Sequence, residues 1–191
     1  MDKKQVQTIF GASADAYVTS GVHAKGASLN RLVELLQPQP NWRVLDVATG
    51  GGHTAFALAP HVAEVIATDI TPEMLTNTTK GAVERGLVNV TTETAVAQKL
   101  PFAADTFDCV TCRLAAHHFA DNGRFLAEAA RVLKPGGQLA LVDNIVPGSR
   151  LRGKQARRQQ ETSTSLHAFE QLSHPSHVRA LSVNAWLDLF T

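Results

Sequence analysis

Cysteine is scarce in this sequence, with two residues among 191. That excludes a disulfide framework and suits a reducing compartment. Neither sign of charge dominates: 18 lysines and arginines face 17 aspartates and glutamates, a formal charge of +1. Such balance excludes a protein whose main business is counterion release from nucleic acid, and a polybasic membrane anchor. No apolar run approaches the ~18 residues of a membrane span. The opening residues 1–7 carry charge with no apolar stretch behind them, unlike a signal peptide. Repeats, low-complexity tracts and a linker that would split the chain are missing too. What is present is globular: 44% hydrophobic and 18% charged residues. A folded chain of this length buries roughly 70% of the surface it exposes when unfolded. One cytoplasmic domain is expected, binding neither nucleic acid nor a membrane.

The apolar pattern alternates between helical and strand spacing. Residues 25–37 carry Leu29, Leu32, Val33, Leu35 and Leu36 at helical spacing, stopped by Pro38 and Pro40. Residues 42–47 read as a buried strand, followed by a glycine-rich turn and a helix over 54–59. Residues 62–68 form a second strand ending at Asp69. Thr71 caps a helix that has Pro72 at its first position and ends at Gly86. A third, more polar strand covers 88–94 and a fourth covers 107–112. Asp121 caps a helix running through Leu133, and Pro135-Gly136-Gly137 turns the chain into a fifth strand, 138–142. Strands and helices in this alternation predict an α/β fold, a doubly wound, Rossmann-like parallel sheet with helices on both faces. Ligands in such sheets sit beyond the carboxyl ends of the strands.

The loop after the first strand is Asp46-Val47-Ala48-Thr49-Gly50-Gly51-Gly52-His53. Its glycines let the backbone turn sharply and approach a ligand, with helix N–H groups facing it. The dinucleotide fingerprint does not fit, because position 55 is alanine. An acidic residue before the glycines would repel phosphates and suits a positively charged ligand instead. Asp69 ends the second strand, where a carboxylate can accept two hydrogen bonds from a ribose diol. A sulfonium nucleoside satisfies both observations.

Four ordered segments, VLDVATGGGHTA (44–55), IATDITPEML (66–75), KLPFAADTFDCVTCRLAAHHFAD (99–121) and RVLKPGGQLALVDN (131–144), resemble class I S-adenosylmethionine-dependent methyltransferases. The similarity is strongest to small-molecule enzymes that include the ubiquinone/menaquinone-biosynthesis C-methyltransferases, and it runs from about Phe10 to the end. The resemblance implies S-adenosylmethionine as cofactor and a small-molecule methyl acceptor. It sets Ala48, Thr49, Gly50 and Gly52, with Asp46, around the methionine part and Asp69 on the ribose. Ile70 falls on adenine, Met74 among the cofactor-binding residues, Val96 and Ala97 at the adenine edge, Arg113 near the methionine carboxylate, and Tyr17 in an N-terminal lid. The expected division is a lid over 1–24, a cofactor-binding core over 25–144 and a substrate-side helical segment over 145–191.

The sequence departs from the family pattern in two places. The usual Gly-Asp-Ala-Glu before Leu-Pro-Phe is Ala95-Val96-Ala97-Gln98 here, so Val96 offers no acceptor to the adenine amino group. One such bond is worth about 0.5–1.5 kcal/mol. The family sheet also ends with two further strands, where this chain ends in residues 185–191, so the sheet reads as C-terminally truncated. Its fifth strand would then present an open edge, covered by a homodimer or by chain beyond this sequence.

His117 and His118 follow the fourth strand, where an imidazole could remove a proton from an attacking hydroxyl, amine or carbon acid. They are the candidate catalytic residues, against the plainer reading of polar loop residues bonded to backbone. Cys109 and Cys112 spell C-x-x-C inside a buried strand, which favours core packing over redox chemistry. No metal site is expected: His167, His174 and His177 lack a cysteine or acidic partner at ligand spacing. Arg150, Arg152, Lys154, Arg157 and Arg158 form the basic cluster, expected as a solvated helix face. Two other classes compete with a methyltransferase. One is a module that holds the cofactor without turnover; the other is a nicotinamide oxidoreductase, disfavoured by Asp46 and the glycine spacing.

Overall fold

The short apolar runs become five strands of one sheet: β1 (Arg43–Val47), β2 (Glu64–Asp69), β3 (Val90–Thr94), β4 (Phe107–Arg113) and β5 (Leu133–Val142). The computed structural model describes residues 7–8, 10–11, 14, 26–148, 162–167 and 176–191. Every pairing is parallel, in the order β3-β2-β1-β4-β5. The chain runs outward from β1 to β3 and then crosses back to β4. A crevice therefore opens beyond the carboxyl ends of β1 and β4, where successive connections leave in opposite directions. The helices are α1 (Ala27–Leu36), α2 (His53–Leu58), α3 (Pro72–Glu84), α4 (Asn122–Val132) and α5 (Val183–Leu189).

Alternation along the strands separates two cores. Val44, Val65 and Cys109 pack with Leu32 and Leu36 of α1 and Leu58 of α2. Leu45, Val110 and Cys112 pack with Phe125, Ala129 and Val132 of α4 and Trp186 of α5. Each fully buried leucine or phenylalanine contributes about 1.5–3 kcal/mol. Cys109 and Cys112 belong to different cores, three residues apart on one strand, so their thiols face away from each other and both are free. Burial pushes the Cys109 thiol up to about 12 and Cys112 well above its ordinary value. The C-x-x-C is packing.

Element ends follow local chemistry, with some differences from the sequence reading. Leu29, Leu32 and Leu36 are buried, whereas Leu35 is 65% exposed. Asp121 caps α4 through Oδ1, which accepts from the Arg124 N–H at 2.9 Å. Thr71 occupies the cap position of α3 without a side-chain capping bond. Gly86 (φ +66) closes the far end of α3, with its N–H on the Val83 carbonyl. β2 starts at Glu64, not at Val62. The expected turn at Pro135-Gly136-Gly137 lies inside β5: Leu133 already pairs with Phe107, and the register shifts before Cys109 meets Gln138.

β5 pairs only with β4 among the described residues. None of its ten residues is fully buried, and Leu139 and Leu141 pack against the core while half-exposed. On α5, Trp186 is buried while Leu187 and Phe190 are exposed. No helix among the described residues is long and apolar enough to cross a membrane.

Candidate active site

The loop between β1 and α2 is bent by three residues with positive φ: Ala48 (+54), Gly50 (+54) and Gly52 (+81). Glycine is required at 52, where a Cβ would stand 2.5 Å from the Phe56 ring and 2.9 Å from the Thr78 methyl. The loop is pinned from both sides. Thr49 N–H donates to the Thr68 carbonyl at 2.8 Å, and Thr78 Oγ1 donates to the Gly50 carbonyl at 2.9 Å. Below it lies Asp46, 1% exposed, accepting from Thr49 Oγ1 at 2.6 Å and from Thr111 Oγ1 at 2.7 Å. Desolvation pushes the Asp46 carboxyl up to about 6; the two threonine hydroxyls and the nearby Arg113 charge oppose that rise.

At the end of β2, Asp69 Oδ2 accepts from the Gly50 N–H at 3.0 Å and Oδ1 from the Thr71 N–H at 2.9 Å. These two bonds tie the carboxylate to both loops. Burial raises this carboxyl as well, opposed by the same backbone donors. Arg113, last residue of β4, sends Nε to Ser28 Oγ at 3.2 Å.

One cavity gathers most of the expected residues. Ala48, Thr49 and Gly50 line it from the first loop, and Asp69, Ile70 and Met74 from the second. Val96 and Ala97 line it beyond β3, with Arg113 and His118 beyond β4. Phe10, Phe119 and Val178 complete the wall beside His118, and the Phe10 ring meets the His118 ring edge-on, 5.0 Å between centroids. Gln7 reaches the same region, donating from Nε2 to the Ile70 carbonyl at 2.7 Å.

Three expected residues do not line the cavity. Asp46 lies under the loop and Gly52 is packed against Phe56; both shape the wall from behind. His117 is 7% exposed and turned to Asp143, its Nδ1 2.5 Å from Oδ1. Tyr17, His174 and the basic cluster from Arg150 to Arg158 lie outside the described residues. His167 contacts His177, Nδ1 to Nε2 at 3.1 Å. Among the described residues no group of three histidine, cysteine or acidic side chains is arranged to hold a metal.

The sequence reading missed Asp143, Ser28 and Ser176. Asp143 directly follows β5, so the strand-end rule that singled out Asp69 would have found it too.

A parallel sheet with an acidic strand end facing a glycine-bent loop is common to several nucleotide folds. The family model for the methyltransferase domain (Methyltransf_11) matches residues 45–141. The chain belongs to the class I S-adenosylmethionine-dependent methyltransferases. An uncharacterized methyltransferase of Bacillus subtilis (strain 168), YcgJ, is 36% identical over 185 residues, covering 97% of this chain and 69% of its own length. The crystal structure of YcgJ superimposes with a TM-score of 0.78 at 37% identity, covering 85% of this chain and 65% of that one. Demethylmenaquinone methyltransferase of Deinococcus radiodurans is 38% identical over 162 residues, 80% of this chain and 66% of the relative. The chain thus spans about two thirds of the length of these relatives.

The residues present fit the cofactor of the family. Asp69 lines the cavity at the end of β2, where a carboxylate suits a ribose diol. Positive φ at Gly50, with no atom within 4 Å of a Cβ position, opens the backbone toward a ligand. Ile70 and Met74 offer an apolar wall, and Ala97 a backbone N–H. Val96 lines the cavity with a side chain that carries no hydrogen-bond acceptor.

Proposed function

We propose that this chain transfers a methyl group from S-adenosylmethionine to a small molecule with an apolar body and a weakly acidic hydroxyl, with His118 as the general base. The observation that carries this reading is His118, which lines the cavity beside the Phe10, Phe119 and Val178 wall, whereas the other lining imidazole, His53, sits on the glycine-bent loop with Asp69 nearby. S-adenosylmethionine supplies a methyl made electrophilic by the sulfonium charge. Asp69 orients the ribose, Gly50 and its neighbours receive the methionine end, Ile70 and Met74 pack the base, and Arg113 meets the carboxylate. The acceptor oxygen forms its new bond to the methyl carbon while the carbon–sulfur electron pair stays with sulfur, and His118 takes the hydroxyl proton. The resulting imidazolium gives that proton to water as the methyl ether leaves. Phe10, Phe119 and Val178 exclude water and hold the acceptor's apolar body, so alignment and a dry site accompany the proton transfer.

Phe10 and Gln7 support the lid reading of residues 1–24, over a core of 25–144 and a substrate-side segment of 145–191. The name of the Deinococcus relative brings demethylmenaquinone into the panel in its quinol form, which carries the hydroxyl, and a label found on ring carbon instead of oxygen would count against the ether. Label transfer from methyl-labelled cofactor onto a panel of quinols, phenols and amines decides the class. Hydroxyl acceptors should be labelled, and His118→Ala should lower kcat by about 10²–10⁴ with cofactor affinity kept. Labelling of amines alone, indifferent to His118, would refute the proposal. A homodimer that covers the β5 edge is proposed alongside, supported by the half-exposed Leu139 and Leu141 on a strand that pairs on one side only among the described residues. Light scattering at micromolar concentration tests it, and a stable monomer with a cooperative melt would defeat it.

A further inference from the structure

A histidine can act as a base only through the ring nitrogen that lacks hydrogen, and the partner of the other nitrogen decides which one that is. His118 Nδ1 lies 3.2 Å from the Oγ of Ser176, a residue 1% exposed. Residues 176–179 are fastened to the histidine turn by main chain: the N–H groups of Val178 and Arg179 both donate to the His117 carbonyl at 2.9 Å. Ser176 therefore reaches His118 from a fixed backbone, not from a free loop. Val178, two residues on, lines the same cavity. The segment that holds His118 thus also forms part of the acceptor wall.

We infer that Ser176 is a positioning residue for methyl transfer: its hydroxyl accepts the Nδ1 hydrogen of His118 and so assigns the acceptor's proton to Nε2. The inference rests on the reading of His118 as base. With Nδ1–H directed at Ser176, the ring has one orientation and one reactive tautomer. Without the hydroxyl, the hydrogen can move to Nε2, and the base is lost at the cavity.

The groups around His118 define the pH behaviour of this arrangement. The His117 ring lies 4.0 Å away between centroids and is tied to Asp143, whose Oδ1 also accepts from the Asn144 N–H. The His177 ring is 6.5 Å from His118 and 5.4 Å from His117, and it contacts His167 in turn. Arg179 adjoins the same segment, and Phe10 brings an uncharged ring from the N-terminal side. Asp143 gives His117 a carboxylate to which it can donate from Nδ1, and this fixes the ring beside His118.

The test compares wild type with Ser176→Ala, Ser176→Thr and His118→Ala, using phenols of graded acidity as acceptors. Ser176→Ala should lower kcat by at least about tenfold, leave cofactor affinity unchanged, and lose most with the least acidic phenols. Activity should recover as pH rises past the pKa of the phenol, when no base is needed, and Ser176→Thr should restore the wild-type profile. Imidazole nitrogen chemical shifts give a readout independent of turnover. His118 should be the Nδ1–H tautomer in wild type and Ser176→Thr, and should gain Nε2–H in Ser176→Ala. An unchanged tautomer in Ser176→Ala, or a uniform loss across phenols and pH that threonine does not repair, would overturn the inference. Full activity in His118→Ala would instead defeat the reading of His118 as base, on which this inference stands.

Discussion

Replacing Asp46 with asparagine isolates the electrostatic cost of the buried carboxyl under the glycine-bent loop. Its pKa is raised from 3.8 to about 6 because burial disfavours the charged form more than Thr49, Thr111 and Arg113 favour it. A rise of about two units corresponds to about 3 kcal/mol between the protonation states. The sign follows from the raised value. The folded protein prefers the protonated form, so the group's contribution to stability is complete below pH 3.8 and is lost as pH rises through about 6. Asp46→Asn keeps the shape and can still hydrogen-bond to both threonine hydroxyls, since one hydroxyl can turn to accept from the amide. The variant should trail wild type by about 1 kcal/mol near pH 4, for poorer hydrogen bonds, and exceed it by up to about 2 kcal/mol at pH 7. Urea unfolding of ligand-free protein from pH 4 to 7.5 measures this gap. Taking the difference between the two proteins cancels the other carboxyls, including Glu128, which Arg131 holds down at about 2. A gap that stays constant across this range would refute the reasoning. The same variant should bind S-adenosylmethionine more weakly at pH 7.5, because a negative charge beneath the loop has been removed.

Ala48 adopts a φ of +54, a conformation that costs a non-glycine residue roughly 1–2 kcal/mol. Ala48→Gly should therefore stabilise the protein by about 0.5–1 kcal/mol, after the added entropy of an unfolded glycine; a lower melting temperature would show that the loop is not strained there. Val96→Asp should restore an acceptor at the adenine edge and tighten cofactor binding by up to about tenfold, read by calorimetry; unchanged or weaker binding would remove Val96 from that edge.

Much of the cofactor end was legible because strand ends are legible. Asp69 closes an apolar run and Asp46 stands one residue before the end of another, and in a parallel sheet such positions fall at or just under the crevice. Their different roles were not legible, since burial under the loop rather than exposure to the cavity is a tertiary fact. The α1 stripe shows the limit of periodicity: positions 29, 32, 33 and 36 share a face at 100° per residue, and Leu35 falls well off it. Pro135-Gly136-Gly137 reads as a turn by composition, yet a register shift absorbs it within β5. The histidine site was half visible. His117 and His118 were found by position, but the pairing with Asp143 depends on the β4–β5 register, in which Arg113 lies opposite Val142. The bond from Ser176 to His118 joins residues 58 apart, and no local pattern announces it.

The account rests most heavily on a cofactor cavity closed at one end by Asp69. Calorimetric titration of wild type and Asp69→Ala with S-adenosylhomocysteine tests that directly, with nicotinamide dinucleotide as the control ligand. Each hydrogen bond to the carboxylate is worth about 1.5–3 kcal/mol, so losing two should weaken binding at least about a hundredfold. Saturable binding by wild type, near-loss in the variant and no response to the dinucleotide are the predicted results. Equal affinity in the two proteins, or binding of the dinucleotide alone, would contradict the account.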